Sequence, residues 1–252
     1  MEGSSQQEPK SRQRGCKAGH RIQSKRAATC QLTYANITSW SDKAADHLIH
    51  QYSDHDVAIA SETHVQGTKL DKALRAMRHD AQRFPFFSPP VNSADSETGT
   101  NGGIIGGTRQ MRQHCPTTED TPYETAWQST FTFMAATQLA LQGTDILVMG
   151  AYHRGGLRDD MLAEAHRITR GGRLHFIYMA DFNASPDEVR DSGWPDRLQA
   201  SVITAGKDNE PTCQQGSHAS CIDFAIVSDT LLPLIQSFTI DWAVPWGHHA
   251  AL

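Results

Sequence analysis

In this 252-residue chain, a small set of chemically complementary side chains falls where apolar runs end. Asn36 follows QLTYA, Glu62 follows DVAIAS, and Tyr152 follows DILVMGA; Asp181 and Asn183 close HFIYMADFN, Asp223 lies in CIDFAIV, and His249 lies in PWGHHAAL. Alone, each has an ordinary explanation, since an acid or amide at a strand end is commonly a turn former or cap. Together they describe a site. Glu62 and Asn36 offer the oxygen ligands that a hard cation such as Mg²⁺ or Mn²⁺ accepts, with waters completing the shell. Asp181 could orient and deprotonate a water, while Asn183 could hydrogen-bond a developing oxyanion. His249, held by a carboxylate such as Asp223, suits an acid or an electrostatic clamp near neutral pH. Tyr152 could donate to a phosphoryl oxygen. The inventory matches metal-assisted, in-line attack of water on a phosphate ester. GxSxG, Walker A, GxGxxG and HExxH are all absent, so other common sites fit less well.

Such residues need a scaffold that brings strand ends together. QLTYANITSW (31–40) reads as a strand running into a loop, and Ser41–Asp42 supply N-cap chemistry for a helix through DKAADHLIHQY. DVAIASE (56–62) is a buried strand, and TKLDKALRAMRHD (68–80) is a helix with Leu70, Leu74 and Met77 at helical spacing. RFPFFSPP (83–90) is extended, residues 93–103 form a Gly-rich loop, and GIIGGTR continues as a strand. Residues 129–141 and 144–152 are two strands turned at Gly143, followed by a helix over 157–172 with a Gly C-terminal signal. Strands are expected at 173–183, 221–229 and 236–244. Strands outnumber helices but alternate with some of them, which favours a layered α/β or α+β fold in one domain, residues 30–252.

Composition narrows the class. With 38% apolar residues, 19 Gly and 11 Pro, the chain can bury a core and is neither collagen-like nor wholly disordered. No apolar run reaches the ~18 residues of a membrane span, and no apolar h-region follows the basic start. The expectation is a soluble intracellular protein, nuclear or cytoplasmic. Charge is uneven: residues 1–28 hold seven basic and two acidic residues, whereas the remainder holds 16 basic and 26 acidic. Residues 1–29 therefore read as a disordered basic leader that could add phosphate contacts. Five cysteines, an odd number without framework spacing, suit free thiols. Cys213, His218 and Cys221 are atoms that zinc accepts, but without a CxxC pair no structural zinc is expected there.

The order and spacing of YANITSW, DVAIASETH, VMGAYHRGG, MADFNASPDE, SCIDFAIVSDTLLPLI and PWGHHAAL resemble the successive motifs of the endonuclease/exonuclease/phosphatase superfamily, which includes exonuclease III and DNase I. The resemblance spans residues 31–252. It implies a four-layer sandwich of two mixed sheets flanked by helices, and a divalent-metal phosphodiesterase. It places Asn36 and Glu62 at the metal and phosphate site and Tyr152 on a phosphate. Asp181 takes the place of the water-activating aspartate, Asn183 that of its oxyanion-binding neighbour, and Asp223 with His249 that of the aspartate–histidine pair. SETH and the PWGHHAAL ending look most like endonuclease domains of non-LTR retrotransposons, which nick DNA. Three positions depart from the pattern: His248 stands where many members have aspartate, Thr38 stands where some relatives ligate metal, and the chain stops at Leu252 where a last strand should follow.

The leading expectation is a Mg²⁺- or Mn²⁺-dependent DNA endonuclease of retroelement type. The runner-up is a phosphatase or phosphodiesterase acting on RNA, a phosphoinositide or a small phosphate ester, and a third reading is a catalytically dead binding domain. The acidic body weakens the DNA reading unless a local basic face exists. Arg109, Arg112, Arg154 and Arg158 near the Tyr152 loop are the candidates, with His248 added as a substrate contact. Asp181, taken as an exposed strand-end acid, is expected to contribute little to stability.

Overall fold

The computed structural model describes residues 29–93, 99–109, 126–128, 132–141, 143–206 and 210–252. Chain order is β1 (Leu32–Asn36), α1 (Asp42–His50), β2 (Val57–Ser61), α2 (Gly67–His79), β3 (Phe84–Ser88), β4 (Val91–Asn92), β5 (Thr100–Asn101), β6 (Ile104–Thr108), β7 (Ala126–Gln128), β8 (Thr132–Leu141), β9 (Thr144–His153), α3 (Asp159–Ile168), β10 (His175–Asp181), α4 (Pro186–Asp191), α5 (Trp194–Leu198), β11 (Ala200–Ile203), β12 (Cys213–Gln215), β13 (His218–Ser220) and β14 (Asp223–Ser228). One mixed sheet has the order β1-β2-β6-β3 and the other β11-β14-β10-β9-β8-β7.

Side-chain alternation along each strand builds the layers. In β2, Val57 and Ile59 enter the cluster shared with Val148, Met179, Ala225 and Val227 of the opposite sheet. The intervening Ala60 packs outward on Ala44 and Leu48 of α1, and Ile105 of β6 meets Ala73 and Met77 of α2. On the second sheet, Phe224 and Ile226 face outward against Met161 and Leu162 of α3, Val189 of α4 and Trp194 of α5. The result is helix, sheet, sheet, helix, each apolar face covered by the next. At Gly150 the sheets approach so closely that a Cβ would stand 2.5 Å from Ile59 Cγ2.

One segment differs from the sequence expectation. Residues 236–244 form no strand; among the described residues their backbone makes one isolated β-bridge, Asp241 with Ala251. The Asp241 side chain is committed elsewhere, accepting from Tyr52 Oη and from the Ala243 N–H. Residues 213–220, for which no element was expected, form the hairpin β12–β13. The short helix α4 was legible but passed over: Ser185 and Glu188 make a reciprocal capping box around Pro186. At the other end of the chain, Tyr34 and Leu252 exchange both backbone hydrogen bonds, so the last residues lie along β1. No helix among the described residues is long and apolar enough to cross a membrane.

Candidate active site

Register decides which strand ends meet. β1 runs parallel to β2 with Asn36 opposite Ser61, which brings Asn36 beside Glu62. β9 runs parallel to β10 with Tyr152 opposite Asp181. β14 is antiparallel to β10, so its first residue, Asp223, falls opposite Asp181. A buried hydroxyl joins the sheets at this level. Tyr34 Oη donates to the Ala151 carbonyl at 2.7 Å, accepts the Asp181 N–H at 2.7 Å and lies 2.8 Å from Ser61 Oγ. Burial, then the charges of Asp223 and Asp181, keep that phenol protonated.

Asn36 is the hub. Its Nδ2 donates to Glu62 Oε2 and to Asp181 Oδ2, each at 2.8 Å, and its Oδ1 accepts the Thr38 N–H at 2.9 Å. The amide nitrogen therefore orients two carboxylates, while its oxygen receives the loop N–H of Thr38 on one of its two lone pairs. Glu62 stands in a left-handed turn (φ 54°) with His64, whose Nε2 lies 3.9 Å from Glu62 Oε1. Tyr152 lies beside Glu62, and burial followed by the Glu62 charge raises its phenol pKa.

Asp181 is 1% exposed, which overturns the expectation of an exposed acid. Its Oδ1 accepts the Asn183 N–H at 2.9 Å and its Oδ2 takes the Asn36 amide. Burial first, then the Asp223 charge, pushes its carboxyl up to about 8. Asn183 is exposed, sits in a left-handed conformation (φ 46°), and donates through Nδ2 to the His153 carbonyl at 2.8 Å. His249 Nδ1 is 2.8 Å from Asp223 Oδ2, and its Nε2 is 4.0 Å from Asp181 Oδ2. An ionised carboxylate only accepts, so Nδ1 carries the proton in this pair. Burial lowers the imidazole pKa, but Asp223, Asp181 and Glu62 outweigh it and raise it to about 9. Thr212 supports the pair from below, its Oγ1 accepting the Asp223 N–H at 2.9 Å.

The neighbouring histidine plays no such part. His248 is exposed, adopts φ 76°, and turns its Nδ1 toward the Gln214 carbonyl at 3.2 Å, on the hairpin side. The basic residues separate. Arg154 lies close enough for its charge to act on Tyr152. Arg109 is at the opposite end of the sheet: it follows Thr108, which pairs with Val57 at the start of β2, and its guanidinium donates to the Asp54 carbonyl. An antiparallel β6 carries its C-terminus away from Glu62, so Arg109 does not join a basic face with Arg154. Arg158 pairs locally with Asp160, and Arg112 lies outside the described residues. His64, Tyr34 and Thr212 were not singled out as site residues, and Cys213 was considered only with His218 and Cys221. Only His64 had a local signal, its place in SETH.

The donor set suits a hard divalent cation. Glu62, Asp181 and Asp223 place three carboxylates around the His249 imidazole, a set rich in the oxygen ligands that such an ion takes. Asp181, Asp223 and His249 also offer ligand atoms within 4.8 Å of one another. Asp223 is wholly buried and already engaged by His249, however, so Glu62 is the better-placed ligand for an oxygen-seeking ion.

No family model matches the chain, and no curated protein matches its sequence. Solved structures do. The endonuclease domain of TRAS1, a telomere-specific non-LTR retrotransposon, is 13% identical, with 88% of this chain and 96% of that one covered and a TM-score of 0.57. An endonuclease/exonuclease/phosphatase family protein from Leptotrichia buccalis is 13% identical over 88% and 97% of the two chains, with a TM-score of 0.56. The human Nocturnin catalytic domain is 14% identical over 79% and 82%, with a TM-score of 0.53. What is shared at these identities is the fold: mixed sheets flanked by helices, the DNase I-like fold of the endonuclease/exonuclease/phosphatase proteins.

Proposed function

We propose that this chain is a Mg²⁺- or Mn²⁺-dependent phosphodiesterase whose substrate is DNA, a nicking endonuclease of retroelement type. The observation that supports it is the convergence at one place of Glu62 and Asp181, both bonded by the Asn36 amide, with the Asp223–His249 pair set against Asp181 by strand register. A fold shared with a retrotransposon endonuclease domain is consistent with that reading.

Each side chain has a defined task. Glu62, oriented by Asn36, would hold the cation, which when bound stabilises charge on a phosphate oxygen as a Lewis acid. Asp181, steadied by the Asn183 N–H and the Asn36 amide, orients the attacking water and accepts its proton at Oδ2. Asn183 keeps one amide hydrogen on the His153 carbonyl and has a second for a substrate oxygen. His249 presents Nε2 to the cleft, with Asp223 fixing the ring; protonated, it clamps the negative phosphate. Arg154 supplies the nearby positive charge, and the basic leader (residues 1–29) adds phosphate contacts.

The test is nicking of supercoiled plasmid by the full chain with Mg²⁺ or Mn²⁺, beside EDTA and Asp181→Ala. Metal-dependent nicking that the variant loses supports the reading. Turnover of a small phosphate ester without nicking would transfer the site to the runner-up substrate class. Well-folded protein inert toward both would refute the enzyme.

A further inference from the structure

Cys213 is held against the site by backbone pairing. The Gln214 N–H donates to the His248 carbonyl at 2.7 Å and the Ala250 N–H to the Thr212 carbonyl at 2.8 Å, so Cys213 bridges to His249 across two rungs. Its Sγ lies 3.6 Å from His249 Nε2, the nitrogen that faces the cleft, and that nitrogen lies 4.0 Å from Asp181 Oδ2. The thiol is half-buried and feels the charges of Asp223, Asp181 and Glu62. The phosphodiesterase chemistry above has no use for a sulfur there.

Zinc does. A tetrahedral Zn²⁺ with Zn–S of about 2.3 Å and Zn–N of about 2.05 Å sets its sulfur and nitrogen about 3.6 Å apart. The Cys213–His249 separation already has this value, while the N–O edge needs about 3.4 Å, so His249 Nε2 and the Asp181 oxygen must draw together by about 0.6 Å. We propose that Cys213 Sγ, His249 Nε2 and an Asp181 carboxylate oxygen form an inhibitory site for Zn²⁺, beside but distinct from the oxygen-rich place at Glu62. Thiolate and imidazole select the softer ion, and carboxylate and amide oxygens the harder. Burial, then the surrounding acids, raises the thiol to about 11, so zinc binds by displacing the thiol proton to solvent and the metal-free cysteine is uncharged. Once bound, the ion occupies the proton acceptor and the clamp together. The segment 213–221 thus takes part in a zinc site, but with partners other than its own His218, which is exposed on β13, and Cys221, which is buried in the outer core.

Binding does not depend on the phosphodiesterase reading; only the inhibition rests on it. The experiment is titration of the full chain with Co²⁺ and Zn²⁺. Co²⁺ should produce a thiolate-to-cobalt charge-transfer band and strong tetrahedral visible bands, lost in Cys213→Ser and in His249→Gln but kept in Cys16→Ser. Zn²⁺ affinity, measured by competition with a chromophoric chelator, should fall at least tenfold in Cys213→Ser. Unchanged cobalt spectra and zinc affinity in folded Cys213→Ser would overturn the site, even if the chain nicks DNA. Thiol-dependent binding by a chain that nicks nothing would uphold the site and refute only the phosphodiesterase reading. If both stand, about one equivalent of Zn²⁺ should stop Mg²⁺-dependent nicking in the wild type.

Discussion

His153 makes the layer beneath the site sensitive to acid. It ends β9, is fully buried, and lies between Tyr178, Phe182 and Trp194, stacked on Phe182 at 5.1 Å. Its Nε2 meets Tyr178 Oη at 2.7 Å, and its Nδ1 is buried without a partner. Protonation would place a cation among rings, so burial lowers the pKa from 6.5 to about 3. As pH falls below 6.5 the unfolded chain takes up a proton that the native state refuses, and stability is lost through the window down to about 3. Each full unit is worth about 1.4 kcal/mol, and between pH 7 and pH 5 the loss from this residue comes to about 2 kcal/mol. His153→Gln keeps a group that can bond Tyr178 Oη but does not titrate. Urea unfolding of both proteins at pH 7 and pH 5 isolates the effect, because every other titrating group cancels in the difference. The wild type should lose about 2 kcal/mol more than the variant over this interval. Equal losses would show that the imidazole titrates normally and would refute the reasoning. The outcome reaches the site, since the His153 carbonyl holds the Asn183 amide.

Asn36→Ala should raise the metal concentration for half-maximal nicking and lower turnover together, because one amide orients both Glu62 and Asp181; a metal titration of activity checks it. Tyr34→Phe should destabilise the fold by about 1–3 kcal/mol in urea, since the Ala151 carbonyl and Asp181 N–H lose a buried partner. His249→Ala should cost at least ~10²-fold in turnover, whereas the exposed His248→Ala should cost far less; steady-state kinetics of the two decide which histidine is the clamp. Introducing an acid with His248→Asp should not restore a site carboxylate, because this side chain points to the hairpin.

Much of the scaffold was legible from local pattern. The short apolar runs in DVAIAS and CIDFAIV, buried throughout, and the helical spacing of Leu70, Leu74 and Met77 are patterns that a single segment carries by itself. The same patterns marked Asn36, Glu62, Asp181 and Asp223 as polar groups at strand ends. Where a segment's fate depended on a partner, pattern failed. Residues 236–244 alternate like a strand but, among the described residues, form a single isolated bridge, Asp241 with Ala251. Arg109 was misplaced for a similar reason, since strand direction in β6 is a property of the sheet. Sequence alone determined which side chains could act and which elements would present them. Only the tertiary structure decided that Asp223 faces Asp181, that His249 rather than His248 meets Asp223, and that Cys213 reaches His249 Nε2. Those are choices of register between strands distant in sequence, and a slip of one residue turns every side chain to the opposite face.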